Sequence, residues 1–270
     1  MGILTTTLLA AAVAAAPAGS LEWSPRVNAA REVLGQPYRT RRQTTEIARL
    51  FNAEDQADFA HEFRDLDLPA VDGVQADANS YVHRLTFAWQ RRADTLRVRL
   101  GVTLAVSSNA LKDPGDLRAE DLYPAAGIGW RAGPVWLDLY ADDRLGRTLV
   151  YPGFELPLRP ALSHEVRLGF PETSWHWQVA PRWSSIAAIK PDGACWQVRD
   201  EQLDERRSEV CSRSWQAAWT LRWQDGPFAV AVTAGYSFAS RLEYQLRDGR
   251  TVRVDVPSGG LFGLSVGARF

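Results

Sequence analysis

Apolar and polar residues alternate over long stretches of the second two thirds of the chain. The clearest case is Leu96 to Val106, where Leu or Val occupies every second position and Arg, Gly, Thr or Ala lies between. The same alternation runs through 215–223, 228–246 and 262–270. Successive side chains of a β-strand point to opposite faces, so each stretch predicts a strand with one apolar and one polar face.

Turn residues between these stretches set a topology. Short turns are predicted at 91–94, 132–134, 171–173 and 224–227, and longer loops at 107–120, 152–160 and 191–210. Short turns at one end and longer loops at the other are typical of transmembrane β-barrels of the bacterial outer membrane, whose short turns face the periplasm. Aromatic residues at the predicted periplasmic strand ends favour the same fold, and they are Trp89, Trp130, Phe170, Trp175, Trp223, Phe228 and Phe270.

The predicted fold is all-β, an antiparallel transmembrane barrel of about ten strands, because bacterial barrels have even strand numbers. Nine strands follow from the pattern, with 134–151 and 174–190 each taken as one strand, and 56–66 supplies the tenth. Arg41 to Glu54 predicts a short helix with Ile47, Leu50 and Phe51 on one side.

The N-terminus predicts export. Residues Ile3 to Ala16 are apolar but too few to span a bilayer as a helix, and small residues follow at Ala16-Pro17-Ala18. The predicted organisation is therefore a signal peptide at 1–18, a periplasmic or lumenal N-terminal extension at 19–55, and the barrel at 56–270. The alternating last strand ends on Phe270, which we interpret as the signal that the barrel-assembly machinery reads.

Composition narrows the function classes. The chain has 270 residues and a formal net charge of −1, so it lacks the basic excess that nucleic-acid binding requires. The expected partners are outer-membrane lipid and the assembly machinery, with no nucleic acid and no cofactor.

Four segments carry a resemblance to a group of known proteins. They are Leu168–Pro171, Pro191–Trp196, Gly235–Phe238 and Gly259–Phe270. Together they resemble uncharacterised outer-membrane β-barrel proteins of Gram-negative bacteria. The resemblance covers residues 56–270 and implies location and fold, with no catalytic residues to carry over.

Two cysteines predict a disulfide. Cys195 and Cys211 lie at the two roots of one predicted extracellular loop, and paired cysteines are usual in exported proteins. A metal site is not predicted, because His164 and His176 lie on other strands without ligand spacing.

Arginines dominate the polar face of the predicted barrel. By strand parity the lumen is lined by Arg84, Arg97, Arg99, Arg131, Arg167, Arg182, Arg222, Arg241 and Arg253. Such a lumen favours anions if water passes through it. A barrel of ten strands leaves little room, however, so a plugged or very narrow interior is the preferred prediction.

Candidate catalytic groups are few. Asp142 and Asp143 are neighbours on a strand and face opposite ways, and Ser163-His164 and Ser184-Ser185 have no distinguishing context. The preferred hypothesis is a non-enzymatic outer-membrane protein, structural or a narrow pore. The alternatives are an outer-membrane hydrolase acting on lipid or peptide at the extracellular rim, and a soluble periplasmic β protein.

Overall fold

The computed structural model describes residues 19–66, 81–112, 115, 117–200, 206–245 and 249–270. The predicted signal peptide at 1–18 lies outside this part of the chain. The strands are β1 (Gly19–Asn28), β2 (Arg31–Val33), β3 (Gln36–Tyr38), β4 (Thr40–Leu50), β5 (Asp55–Leu66), β6 (Tyr81–Arg92), β7 (Leu96–Ser107), β8 (Leu122–Ala132), β9 (Val135–Asp142), β10 (Leu149–Ala161), β11 (His164–Phe170), β12 (Thr173–Ala180), β13 (Trp183–Pro191), β14 (Ala194–Asp200), β15 (Arg206–Asp225), β16 (Phe228–Gln245), β17 (Thr251–Val256) and β18 (Gly259–Arg269). A short helix, α1 (Ser108–Lys112), and a 3-10 turn (Ala119–Asp121) follow β7. No helix among the described residues is long and apolar enough to cross a membrane.

Fourteen of these strands close into one antiparallel barrel. The ring runs β1-β4-β5-β6-β7-β8-β9-β10-β11-β12-β13-β15-β16-β18 and returns to β1, where Trp23 pairs with Val266. β14 and β17 lie outside the ring as extra strands on β15 and β16, and β2 and β3 form a separate hairpin. The all-β barrel prediction is confirmed, but the expected count of about ten strands is wrong.

The end of the barrel that carries both Gly19 and Phe270 also carries the short turns. Gly19 and Phe270 exchange two backbone hydrogen bonds, of 2.8 and 3.0 Å. By the rule for outer-membrane barrels, we call this end periplasmic and the opposite end, with the longer connections, extracellular.

Exposed apolar side chains form a belt around the outside of the barrel. Members from every part of the ring are Trp23, Ile47, Phe59, Phe87, Leu100, Val102, Ile128, Leu139, Phe154, Leu168, Trp175, Trp219, Val232 and Leu264. An apolar surface of this extent on a closed barrel is typical of a wall that faces lipid. Inward positions alternate with them and carry the charged residues.

Half of the undercount arises in the first 55 residues, which hold two ring strands. The predicted helix at 41–54 is wrong, because Thr40–Leu50 is strand β4 and pairs with β1 and β5. Its outward face carries Gln43 and Arg49 beside Ile47, which hides the alternation. The predicted 19–55 extension is likewise wrong, since it supplies two barrel strands and the β2–β3 hairpin.

Three further differences concern turns. The predicted strand 134–151 is two strands joined at 143–148, and 174–190 is two strands joined at Pro181-Arg182. The predicted loop 152–160 lies inside β10, where Pro152 and Pro157 sit in the strand ladder; a proline in a strand interior argues against that assignment from sequence.

The predicted periplasmic turn at 171–173 lies at the opposite end of its strands. The periplasmic turn of this region is instead 162–163, between β10 and β11. Phe170 is therefore not part of a periplasmic girdle, and its ring lies 6.0 Å from that of Tyr151 and 6.3 Å from that of Trp215.

Candidate functional site: a lid over an arginine-lined lumen

The extracellular ends of the longest strands bend over the barrel mouth. We define the lid as β14, Arg206–Ser212 of β15, Ser240–Gln245 of β16, and β17; its strands pair in that order. At its base the β15–β16 register shifts between Arg213 and Trp215, and Ala239 has a positive φ of 50°. Irregularities of this kind bend a strand and increase its twist, so this one marks where the lid departs from the wall.

The lid reaches the opposite wall. Gln197 of β14 pairs in parallel with Val106 of β7, which lies half-way round the ring from β15. Tyr123, on β8, donates its hydroxyl to Glu209 at 3.0 Å and accepts a hydrogen bond from Gln197 at 3.3 Å. The lid is therefore attached on both sides of the mouth.

An apolar core fills the space between lid and wall. Trp196, Val210, Leu242 and Tyr244 of the lid are almost fully buried. They belong to one cluster with residues of the β2–β3 hairpin and of the wall, namely Val33, Tyr38, Leu66, Val82, Ala105 and Tyr123. Burial of this apolar area from water stabilises the closed position of the lid.

Asp143 acts as a latch on the lid. Its Oδ2 accepts a hydrogen bond from the backbone N–H of Cys195 at 3.0 Å and one from Arg84 at 2.6 Å. One carboxylate thus joins the β9–β10 loop, the wall strand β6 and the first residues of the lid.

The predicted disulfide is present. Cys195 and Cys211 are directly opposite each other on β14 and β15 and are covalently joined. Glu209 lies near the two sulfur atoms, but metal binding by cysteine requires thiolates, and these sulfurs are oxidised. The bond fixes the base of the lid hairpin.

A cavity of about 60 Å³ lies beneath the lid, and seven arginines and one carboxylate supply the charged groups of its lining. Arg42 forms ion pairs with Glu62 and, at 2.6 Å, with Asp192. Arg64 also pairs with Glu62, and Gln216 donates to the second carboxylate oxygen of Asp192 at 2.6 Å. The remaining arginines of the lining are Arg26, Arg31, Arg41, Arg213 and Arg241.

Asp192 holds this cluster to the start of the lid, because it lies between β13 and β14. Burial alone would raise the pKa of its carboxyl group. The guanidinium groups of Arg42, Arg64 and Arg26 outweigh burial and hold that pKa below its ordinary value.

Acid is expected to weaken the attachment of the lid through Asp192. A carboxylate with a lowered pKa stabilises the fold above its unfolded pKa, about 3.9, and loses that contribution as the pH falls through the folded value. The midpoint temperature of thermal unfolding, measured from pH 7 to pH 3, should therefore fall more steeply below pH 4 for the wild type than for Asp192→Asn. Parallel pH curves for the two proteins would contradict this assignment.

The arginines predicted to line the lumen lie in different parts of the barrel. Arg84, Arg97, Arg99 and Arg167 are on inward positions and contact or face acidic partners. Arg131 and Arg182 are exposed at the periplasmic turns, and Arg222 is half-buried near Arg269. Arg241 and Arg253 belong to the lid, where they pair with Asp255 at 2.7 Å and Glu243 at 3.1 Å.

Ion pairs lie along the inner wall of β7 to β11 below the lid. Arg97 pairs with Asp138 and, at 2.9 Å, with Glu155 of β10. Arg167 pairs with Glu165 at 2.7 Å on its own strand. These side chains occupy interior space along one side of the lumen, on the periplasmic side of the cavity.

The candidate catalytic groups of the sequence are not assembled. Asp142 accepts hydrogen bonds from Tyr151 and Arg144, at 2.8 and 2.7 Å, while Asp143 forms the latch. His164 stacks against both Trp175 and Trp177 on the outside of the barrel. Ser185 accepts a hydrogen bond from Trp219 at 2.7 Å, and His176 lies 3.2 Å from Ser174 instead.

Sequence reasoning missed the residues that hold the cavity together. Arg26 and Arg42 were assigned to an extension, and Glu62, Arg64 and Asp192 were not singled out. In β5 the inward positions carry polar or charged residues at Gln56, Asp58, Glu62 and Arg64. This alternation is the sequence signal that places Glu62 and Arg64 inside a barrel.

The chain matches no protein-family model and no curated protein sequence. Among solved structures it is similar to an outer membrane channel from Pseudomonas putida F1, with a TM-score of 0.44 and 8% identity over 96% of this chain and 97% of that one. It is also similar to the β domain of the Bordetella autotransporter Brka, with a TM-score of 0.38 and 7% identity over 94% and 100%. OpdK from Pseudomonas aeruginosa, solved with vanillate, has a TM-score of 0.34 and 10% identity over 93% and 98%. Structural similarities at this level do not assign a function to this chain.

Proposed function

We propose that the protein is an outer-membrane β-barrel that forms a narrow, anion-preferring pore closed at its extracellular mouth by the lid. The single observation that carries this proposal is the lining of the cavity beneath the lid. Seven arginines line it against one carboxylate, that of Asp192, with Glu62 behind.

The charge of the lining determines the expected selectivity. A confined space with low-dielectric walls and a surplus of one sign concentrates ions of the opposite sign. Arg42 and Arg64 are neutralised in part by Glu62 and Asp192. Arg41 and Arg241 pair with Asp65 and Asp255, so the surplus of the cavity comes from Arg26, Arg31 and Arg213. Small anions are therefore the solutes that this lumen would favour.

The lid and the lumenal ion pairs determine the expected size of the path. A ring of fourteen strands encloses more space than an eight-stranded barrel, which side chains fill completely. The lid core closes the extracellular end of that space, and the ion pairs of Arg97 line one side of it. Outer-membrane lipid and the assembly machinery that reads Phe270 remain the partners we propose.

Planar-bilayer conductance tests the proposal. The wild type is expected to show small or rare openings, and Cys195→Ser/Cys211→Ser, which frees the lid hairpin, to open more often with a reversal potential that favours anions. In the chain-entropy model a disulfide that closes a loop of about 15 residues stabilises the folded chain by roughly 3 kcal/mol, so the variant should also be less stable to urea. Reducing agent added to the wild type is the matched comparison. Cation selectivity, or silence in both proteins while each remains folded, would overturn the proposal.

A further inference from the structure

Two histidines and a serine form a hydrogen-bonded chain on the outer face of the barrel. His83 Nε2 lies 3.0 Å from Ser108 Oγ, and His83 Nδ1 lies 3.1 Å from His61 Nε2. The two imidazole rings are stacked, with their centroids 5.4 Å apart and their planes 6° from parallel. All three side chains are partly exposed.

Strand parity and register bring these residues together. Phe59 and Phe87 are directly paired and both exposed, so His61 and His83, separated from them by two and four residues, point to the same outward side. His83 lies opposite Phe63, one outward position beyond His61, which makes the histidines diagonal neighbours. Val82 pairs with Ser107, so Ser108 follows at the end of β7 beside His83.

The order of the three groups is that of a nucleophile, a base and an orienting residue. When His83 carries its proton on Nδ1, that proton is donated to His61 Nε2, and His83 Nε2 is free to accept the hydroxyl proton of Ser108. A serine is activated by an adjacent general base, and the base is held in its tautomer by a third group. Distances of 3.0 and 3.1 Å are within the range for both proton transfers.

We propose that Ser108 and His83 are the catalytic residues of a serine esterase site, with His61 as the positioning residue, and that its substrates are acyl esters of membrane lipids. This inference is independent of the proposed pore, because the site lies on the outside of the wall. It places a hydrolytic activity at the extracellular rim, on residues that no local sequence motif singles out.

Each step of the reaction balances with water as the second substrate. Ser108 Oγ attacks the ester carbonyl carbon and its proton passes to His83 Nε2. The tetrahedral intermediate collapses, the bond from carbon to the alkoxide oxygen breaks, and His83 returns the proton to the departing alcohol. Water then attacks the acyl-Ser108 ester in the same way, which releases a carboxylic acid and restores both side chains.

The surroundings of the site define the substrate class. Phe59, Tyr81 and Phe87 are exposed next to it on the outward face, and Phe63 stacks on Tyr81 with ring centroids 5.9 Å apart. Acyl chains in the bilayer lie against such a surface, whereas a water-soluble peptide does not. His83 is the third residue from the extracellular end of β6, so the site lies at the extracellular edge of the exposed apolar belt.

Hydrolysis assays on the purified, folded barrel test the proposal. The probes are p-nitrophenyl butyrate and a diacyl phospholipid in mixed micelles, with a fluorophosphonate as covalent label. The label forms an Oγ–phosphorus bond to an activated serine and releases fluoride, so peptide mass spectrometry identifies the residue. We expect labelling at Ser108, loss of hydrolysis in Ser108→Ala, and a decrease of about 10²–10⁴-fold in His83→Gln.

Three comparisons separate catalysis from structure. His164→Ala, another outward histidine beside aromatic rings, should keep wild-type activity. His61→Leu should lower kcat and leave KM unchanged. His61→Gln should keep most of the wild-type kcat, because its amide oxygen accepts the hydrogen bond from His83. Heat-modifiable migration on a gel checks that each variant is folded. A folded wild type that neither hydrolyses the esters nor takes the label at Ser108, or a Ser108→Ala variant that still hydrolyses them, overturns the proposal.

Discussion

Trp196→Ala is expected to open the extracellular mouth and to raise the single-channel conductance well above that of the wild type. The Trp196 side chain is completely buried, with 0% of its surface exposed, and lies in the core between lid and wall. Truncation of a buried Trp costs about 3–5 kcal/mol. The cost falls on the closed position of the lid, because Trp196 belongs to β14, which is outside the fourteen-strand ring.

The matched control is Trp219→Ala. Trp219 lies on β15 within the ring and half of its surface is exposed toward the lipid. The same chemical change there should leave the conductance unaltered. Limited proteolysis of the lid provides a second readout, and it should accelerate only in Trp196→Ala. If the lid became protease-sensitive while the conductance stayed low, the ion pairs of Arg97 and not the lid would limit the path.

Leu264→Arg is expected to destabilise the barrel by about 2–4 kcal/mol, since a charged side chain would face the hydrocarbon near the middle of the membrane. Leu264 is in the middle of β18 and 38% exposed on the outer face. Ser265, its neighbour, points to the lumen, where it pairs with the buried Ala231 of β16. Ser265→Arg should therefore cost less. Reversible unfolding of the refolded barrel in urea with lipid vesicles measures both variants, and equal losses at the two positions would contradict the assignment of inside and outside.

The regular strands near the C-terminus were predictable because nothing interrupts their alternation. β7 and the lower halves of β15 and β16 match the predicted segments, and residues 56–66 form β5 as expected. The lid was not predictable, because apolar residues continue at most even positions of β16 from Phe228 to Tyr244, although the extra residue at the register shift moves these positions from the lipid side to the lid core. Only the register shift at Arg213 and the positive φ at Ala239 separate the two parts, and neither has a sequence signal.

Contacts that depend on the register between paired strands were not predictable from the sequence either. Ser163-His164 drew attention because the two are adjacent in the chain, yet adjacent strand residues face opposite sides. His61, His83 and Ser108 are separated by 22 and 25 positions and meet only through the pairing of β5, β6 and β7. The disulfide was predictable because only two cysteines exist and export favours their pairing.

The contact between Gln197 and Val106 has a mechanical consequence. Six ring strands separate β15 from β7 on either side, so the lid joins two diametrically opposite points of the wall. It therefore works as a cross-strut, and flattening the barrel along that diameter would compress the lid core. The cross-section of the barrel and the packing of the lid core are therefore expected to change together.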